Sequence, residues 1–111
     1  MPSRSILTIS EDQHKSYRLK FIPEALDEWR AMDGSVRTIL KKLLAKRLEN
    51  PVVPGSALRG ELTGCFKIKL RQQGVRLVYQ VIEEEVVVLV LAVGKRERDA
   101  AYRSATGRRK A

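Results

Sequence analysis

The residues best placed to do chemistry in this chain are Lys67, Lys69, Arg71 and Arg76. The first three alternate with Phe66, Ile68 and Leu70, the period of two that a half-buried strand produces. Residues two apart on a strand lie roughly 6.5–7 Å apart on one face, close to the phosphate spacing of an extended nucleic-acid strand. The segment therefore lays three cations in a row over an apolar underside. Gln73-Gly74 supplies a turn, since glycine accepts positive φ. Beyond it, Val75, Leu77, Tyr79 and Val81 share one parity, and Arg76, Val78, Gln80 and Ile82 share the other. If both apolar rows face one core, Arg76 lies beside Lys69 or Arg71 on the outer face, and a slip of one residue would bury it. Alternating lysines also suit a plain solvated sheet face. The added Arg76, and the lack of any acid from Leu62 to Ile82, favour a working cationic surface.

Composition points the same way. The chain has 111 residues, one domain's worth, with 22 Lys and Arg against 13 Asp and Glu, a net charge of +9. Such an excess favours polyanions as partners: nucleic acid, the ribosome or an acidic protein. Cys65 is the single cysteine, which excludes an internal disulfide and fits a reducing cytoplasm. His14 is the single histidine, so neither a Cys/His zinc set nor a histidine-pair ribonuclease can be assembled. No 18-residue apolar run and no signal-peptide core is visible, so no membrane partner is expected.

The elements that position the cations follow in order. Residues 1–15 are polar and weakly patterned and are read as an N-terminal extension, with 16–106 as the domain and 107–111 as a basic, solvated tail. Tyr17 to Ile22 alternates as a first strand, and Pro23 then suits a helix start. Ala25, Leu26, Trp29 and Met32 make the apolar face of a short helix, with Trp29 as a core anchor. Asp33-Gly34 ends it, and Ser35 can cap the next helix. From Val36 to Glu49, Val36, Ile39, Leu40, Leu43, Leu44 and Leu48 form one stripe, with Arg37, Lys41, Lys42, Lys46 and Arg47 opposite as a solvated or RNA-facing side. Val52 to Gly64 is a loop carrying Arg59 beside Gly60. Glu83-Glu84-Glu85 is a turn, and the apolar run Val86 to Val93 reads as a strand covered on both faces in mid-sheet. Asp99 to Ala105 has helical composition. The simplest layout is α+β in two layers: a helical hairpin on one face of a mainly antiparallel four-stranded sheet, then a short C-terminal helix. Its other face is expected to stay open and to display Lys67, Lys69 and Arg76.

Several linked motifs then resemble a known family. Leu58-Arg59-Gly60, Cys65 to Arg71, Gly74 to Val81, Val93 to Arg98 and the Ala-Leu-x-Glu-Trp pattern at Ala25 to Trp29 are similar to those of RelE toxins, in the wider RelE/ParE group of type II toxin–antitoxin systems. The resemblance runs from about Tyr17 to Tyr102, and residues 1–15 exceed the family's usual length. It implies a RelE-like fold and a toxin that cuts mRNA in the ribosomal A site, without metal or small-molecule cofactor. The implied reaction is attack of a ribose 2′-hydroxyl on the neighbouring phosphate, releasing a 5′-hydroxyl.

Carried over by residue, the resemblance makes Lys69 the general base, Lys67 a phosphate-binding lysine and Arg76 the arginine on the pentavalent phosphate. Arg96 becomes the group beside the leaving oxygen, Tyr102 the tyrosine that positions or stacks on substrate, and Arg59 a further basic contact. Arg71 joins Lys67 and Arg76 as cations that push the Lys69 pKa down and bind substrate. Because guanidinium rarely gives up its proton, Arg96 has two readings, a true acid or a purely electrostatic group with water or the ribosome supplying the proton. The implied partners are a RelB-like antitoxin, the ribosome and mRNA, in the cytoplasm. A ParE-like toxin that inhibits DNA gyrase without cutting RNA is the alternative, since one fold can carry either activity.

Overall fold

The structure, a computed structural model, describes residues 16–110; the expected N-terminal extension and His14 lie outside the described residues. Strand β1 (Arg18–Phe21) leads into helix α1 (Pro23–Ala31) and helix α2 (Gly34–Glu49). Strands β2 (Cys65–Leu70), β3 (Val75–Ile82) and β4 (Val87–Lys95) follow, then helix α3 (Ala100–Thr106). The sheet order is β1-β4-β3-β2, with β1 parallel to β4 and the other pairs antiparallel. The expected α+β architecture and the mid-sheet place of the apolar strand are both borne out. Among the described residues no helix is long and apolar enough to cross a membrane.

The helical hairpin forms where its punctuation demands. Pro23 occupies the first turn of α1, where its missing N–H costs nothing. Asp33, rather than Ser35, caps α2, accepting a hydrogen bond from the Ser35 backbone N–H at 3.1 Å and another from its hydroxyl. Those bonds hold the Asp33 carboxyl below its usual range. Leu40 and Leu44 are fully buried under α2, each contributing on the order of 1.5–3 kcal/mol. Trp29 packs into the same core, tilted against Phe21 with ring centroids 5.3 Å apart.

Strand β4 is buried from Val87 to Val93 because both faces are covered. Val88, Val90 and Val93 join the core under α1 and α2, while Val87, Leu89, Leu91 and Ala92 join a second core with Ala101 and Ala105 of α3. The switch in parity has a cause. The β3–β4 register shifts between Val78 and Tyr79, which pair with Ala92 and Val90, leaving Leu91 unpaired as a bulge. The partner strand β1 also ends here, at Phe21 opposite Val90. Side chains take its place: the Val93 N–H donates to Glu28 Oε1 at 3.0 Å, and Arg108 Nη1 donates to the Leu91 carbonyl at 2.9 Å and to Glu28 Oε1 at 3.0 Å.

Two expectations are corrected. The second sheet face is not open: α3 covers its β3–β4 half, leaving the cations at the β2 rim. The basic end, expected to be solvated, is tied to the body. Besides the Arg108 contacts, Arg109 donates to the carbonyls of Glu61 and Thr63, and Lys110 exchanges two backbone bonds with the Gln80 amide at 2.8 and 2.9 Å. The carbonyls left free by turns and strand ends are good acceptors, and arginine's five donors reach them.

The turn before β4 holds Val86 at φ 56°, the left-handed region that a β-branched residue strongly disfavours. Val86→Asn should therefore raise stability by about 1 kcal/mol, because asparagine tolerates that region. A urea melt will show the midpoint moving up at constant slope; a lower midpoint would count against strain at this turn.

Candidate active site

Strand pairing sets the first distance in the site. Lys69 lies directly opposite Arg76, which chooses between the two partners open to Arg76 from the sequence. Lys67, one step along the same face, lies opposite Val78. The apolar sides of these strands, Phe66, Ile68 and Leu70 with Val75, Leu77 and Tyr79, all enter the core under the helical hairpin. That burial fixes the register, so the cations have no alternative face.

The turn after β2 brings in the rest. Gly74 has φ 68°, and its N–H bonds the Arg71 carbonyl at 3.3 Å. Its own carbonyl accepts the Arg96 backbone N–H at 2.9 Å, which ties the turn to the end of β4. The Arg96 side chain passes 3.9 Å from where a Gly74 side chain would begin. Lys69, Leu70, Arg71, Val75, Arg76 and Arg96 thereby line one cleft of roughly 230 Å³. That is below the span of about 300–1,000 Å³ usual for small-molecule sites, and suits a short piece of an extended polymer.

Arg76 is held from two sides. It forms an ion pair with Asp99, and its guanidinium carbon lies 4.9 Å from the centroid of the Tyr102 ring. Tyr102 thus presents its ring to an arginine, and its hydroxyl is buried with no hydrogen-bond partner among the described residues. Burial pushes the Tyr102 pKa up, against the pull of Arg76. Arg59 is exposed on the loop before β2 and does not line the cleft.

Lys69 is exposed, and its pKa is depressed. The charge of Lys67 is the largest cause; partial desolvation, Arg76 and Arg71 add to it, and Asp99 opposes. Like charges disfavour the ammonium and so make the free amine more available. The arrangement can therefore accept a proton at Lys69 and stabilise negative charge with three guanidinium groups. Cys65 is no rival nucleophile, because its thiol is fully buried and burial pushes its pKa up. Among the described residues no three His, Cys, Asp or Glu side chains gather as a metal site.

Two contributors were not found in the sequence. Arg47, expected on the solvated side of α2, turns inward. It donates to the Lys67 carbonyl at 3.2 Å, the Tyr79 hydroxyl at 2.8 Å and Ser56 Oγ at 3.2 Å, so it braces β2 behind the site. Its position in a stripe of five cations gave no signal. Asp99, placed only within a helical segment, is the acid that meets Arg76.

The model of the ParE toxin of type II toxin–antitoxin systems (parDE) matches residues 19–100. The mRNA interferase toxin RelE of Escherichia coli strain K12 is 52% identical over 93 residues, covering 84% of this chain and 97% of that protein. A solved structure of an arginine double mutant of the E. coli RelE toxin in the free state aligns with a TM-score of 0.78 at 49% identity, covering 85% of this chain and 98% of the other. The toxin from the intact E. coli RelBE toxin–antitoxin complex aligns with a TM-score of 0.71 at 53% identity, covering 75% of this chain and all of that one, 100%.

Two measurements follow from this geometry. Lys67→Ala removes the largest cause of the Lys69 shift, so an NMR titration of the Lys69 side chain should show its pKa rise toward the ordinary lysine value; no change would show that Lys67 does not set it. Arg47→Ala strips donors from the Lys67 carbonyl and the Tyr79 hydroxyl and should cost about 2 kcal/mol in a denaturant melt. A loss near zero would remove Arg47 as the brace of β2.

Proposed function

We propose that this chain, which belongs to the RelE-like toxins of the ParE toxin family of type II toxin–antitoxin systems, is an endoribonuclease that cuts mRNA on the ribosome. The observation that carries the reading is the direct pairing of Lys69 with Arg76 on the rim of a cleft shared with Arg71 and Arg96. In the proposed reaction the Lys69 amine takes the proton of a ribose 2′-hydroxyl. The freed oxygen attacks the adjacent phosphorus, the bond to the 5′ oxygen breaks, and a 2′,3′-cyclic phosphate and a 5′-hydroxyl result. Lys67 and Arg76 stabilise the charge that builds on the phosphoryl oxygens. Arg96 sits beside the leaving oxygen and stabilises it electrostatically, while water or the ribosome returns the proton. Arg71 and Arg59 hold flanking phosphates, and Tyr102 positions Arg76 or stacks on the substrate. No metal or cofactor enters these steps.

Dependence on the ribosome has a physical rationale. The base is an exposed lysine and the group assigned to the leaving oxygen, Arg96, is a guanidinium, so the protein alone is a weak acid–base pair. A partner that orients the RNA would supply the missing rate through positioning. The cytoplasm is the compartment this implies.

Solved structures of relatives include toxin–antitoxin complexes, and a RelB-like antitoxin is the proposed partner here. Charge favours an acidic, helix-rich chain that covers the cationic cleft or displaces α3 near Tyr102.

Purified protein incubated with programmed ribosomes and mRNA should cleave, and the same mRNA alone should stay intact. Lys69→Ala should slow cleavage by about 10²–10⁴-fold while remaining folded. The wild-type rate should rise with pH through the depressed Lys69 pKa, because only the neutral amine is a base; Lys67→Ala should move that rise to higher pH. A Lys69→Ala variant as active as wild type would remove the base assignment. Growth arrest in which DNA synthesis stops before protein synthesis would instead point to gyrase, as for a ParE-like inhibitor.

A further inference from the structure

We propose that Asp99 is an internal latch on the active site: its carboxylate occupies Arg76 in the RNA-free toxin and is displaced when a phosphate enters the cleft. The inference rests on the reading of Arg76 as a phosphate-binding group, and goes beyond it by giving that group a built-in competitor.

Three observations converge on Asp99. First, it stands at the N-cap of α3, where an aspartate ordinarily accepts a hydrogen bond from the first turn, yet its side chain makes no capping bond. Its carboxylate is engaged with Arg76 instead. Second, its backbone sits at φ 52° and ψ 41°, a left-handed conformation that costs most residues energy and that aspartate is among the few to accept. The chain thus adopts an unusual turn at the residue that reaches across to β3. Third, the Arg76 guanidinium carbon lies 4.9 Å from the Tyr102 ring centroid and its Nη1 is engaged by Asp99, so that donor is withheld from another anion while Asp99 stays. Carboxylate and phosphate compete for that donor because both accept charge-assisted hydrogen bonds from guanidinium.

The energetics allow exchange. The Arg76 side chain is 19% exposed and that of Asp99 61%, so one partner is open to water and the pair is partly screened. Such pairs contribute little, about 0–1 kcal/mol. A phosphate in the cleft meets Lys69, Arg71 and Arg96 as well as Arg76 and outweighs it. Asp99 also acts on Lys69 against the neighbouring cations.

Asparagine tolerates the left-handed region as aspartate does, so Asp99→Asn removes the charge and keeps the turn. The probe is inorganic phosphate, titrated at low ionic strength into the intact toxin and followed by NMR at the Arg76 side chain and by calorimetry. Asp99→Asn should bind it about two- to fivefold more tightly than wild type. The gain should vanish when Arg76→Ala is present in both proteins. Asp99→Gly, which relaxes the turn, should behave as Asp99→Asn does and excludes a folding artefact. Affinity unchanged or weakened in Asp99→Asn, binding undetectable in both forms, or a gain that survives Arg76→Ala would each overturn the latch. Phosphate binding needs no turnover, so the two readings separate. A gain in affinity with no ribosomal cleavage by wild type would keep the latch and remove the nuclease. Cleavage lost in Arg76→Ala with phosphate affinity unmoved by Asp99→Asn would do the reverse.

Discussion

Two like charges, Lys69 and Arg76, face each other across an antiparallel pair, and the rest of the fold exists to keep them there. Such an opposition is unfavourable by itself. It persists because the reverse sides of the same strands bury Phe66, Ile68, Leu70, Val75, Leu77 and Tyr79. Moving either strand by one residue would turn those side chains to solvent and bury charges in their place. A few kilocalories of core packing per residue thus hold a repulsion worth much less; Lys67, fixed on the same face by the same register, is the largest cause of the lowered Lys69 pKa, and Arg76 adds to it. Stability and chemistry are coupled through one register.

The basic excess divides along the same line. Arg37 closes the end of α1 by donating to the carbonyls of Arg30 and Met32. Arg47 braces β2, Arg108 replaces the missing neighbour of β4, and Arg109 ties the loop before β2 to the C-terminal end. These arginines satisfy backbone carbonyls that strands and helices leave unpaired. Lys41, Lys42 and Lys46 stay exposed on α2, and Lys69 is exposed at the cleft. A planar fork of donors suits the structural task, and a compact, titratable ammonium suits the chemical one.

Much of this was legible in the sequence. Strict alternation marked β2 and β3, and the apolar run marked β4 as buried on both faces, because those signals come from faces that meet a core. The two helices and Pro23 were readable for the same reason. The bulge at Leu91 was not, since in a run of apolar residues a change of parity leaves no trace. The cover of α3 over the second face was missed because its contacts are small residues, Ala101 and Ala105, whose side chains carry little pattern. Arg37, Arg47, Arg108 and Arg109 looked like solvent charges because a carbonyl partner distant in sequence has no signature of its own. The roles given to Lys69, Arg76, Arg96 and Tyr102 came from a family likeness. Their physical content came from the folded chain: a cleft shared by Lys69, Arg76 and Arg96, a Tyr102 ring against Arg76, and a lowered Lys69 pKa. Asp99 was hidden because its meaning lies in a backbone conformation rather than in its type.

The central claim is that an amine on β2 activates the RNA's own hydroxyl, with no external nucleophile. The direct test is an mRNA bearing a single 2′-deoxy nucleotide at the cleavage position, presented on programmed ribosomes beside its all-ribose parent. The parent should yield a 5′-hydroxyl and a 2′,3′-cyclic phosphate, and the deoxy substrate should remain uncut at that position. Cleavage of the deoxy substrate, or a 5′-phosphate on the product, would mean that water attacks and that the pairing of Lys69 with Arg76 serves only to bind.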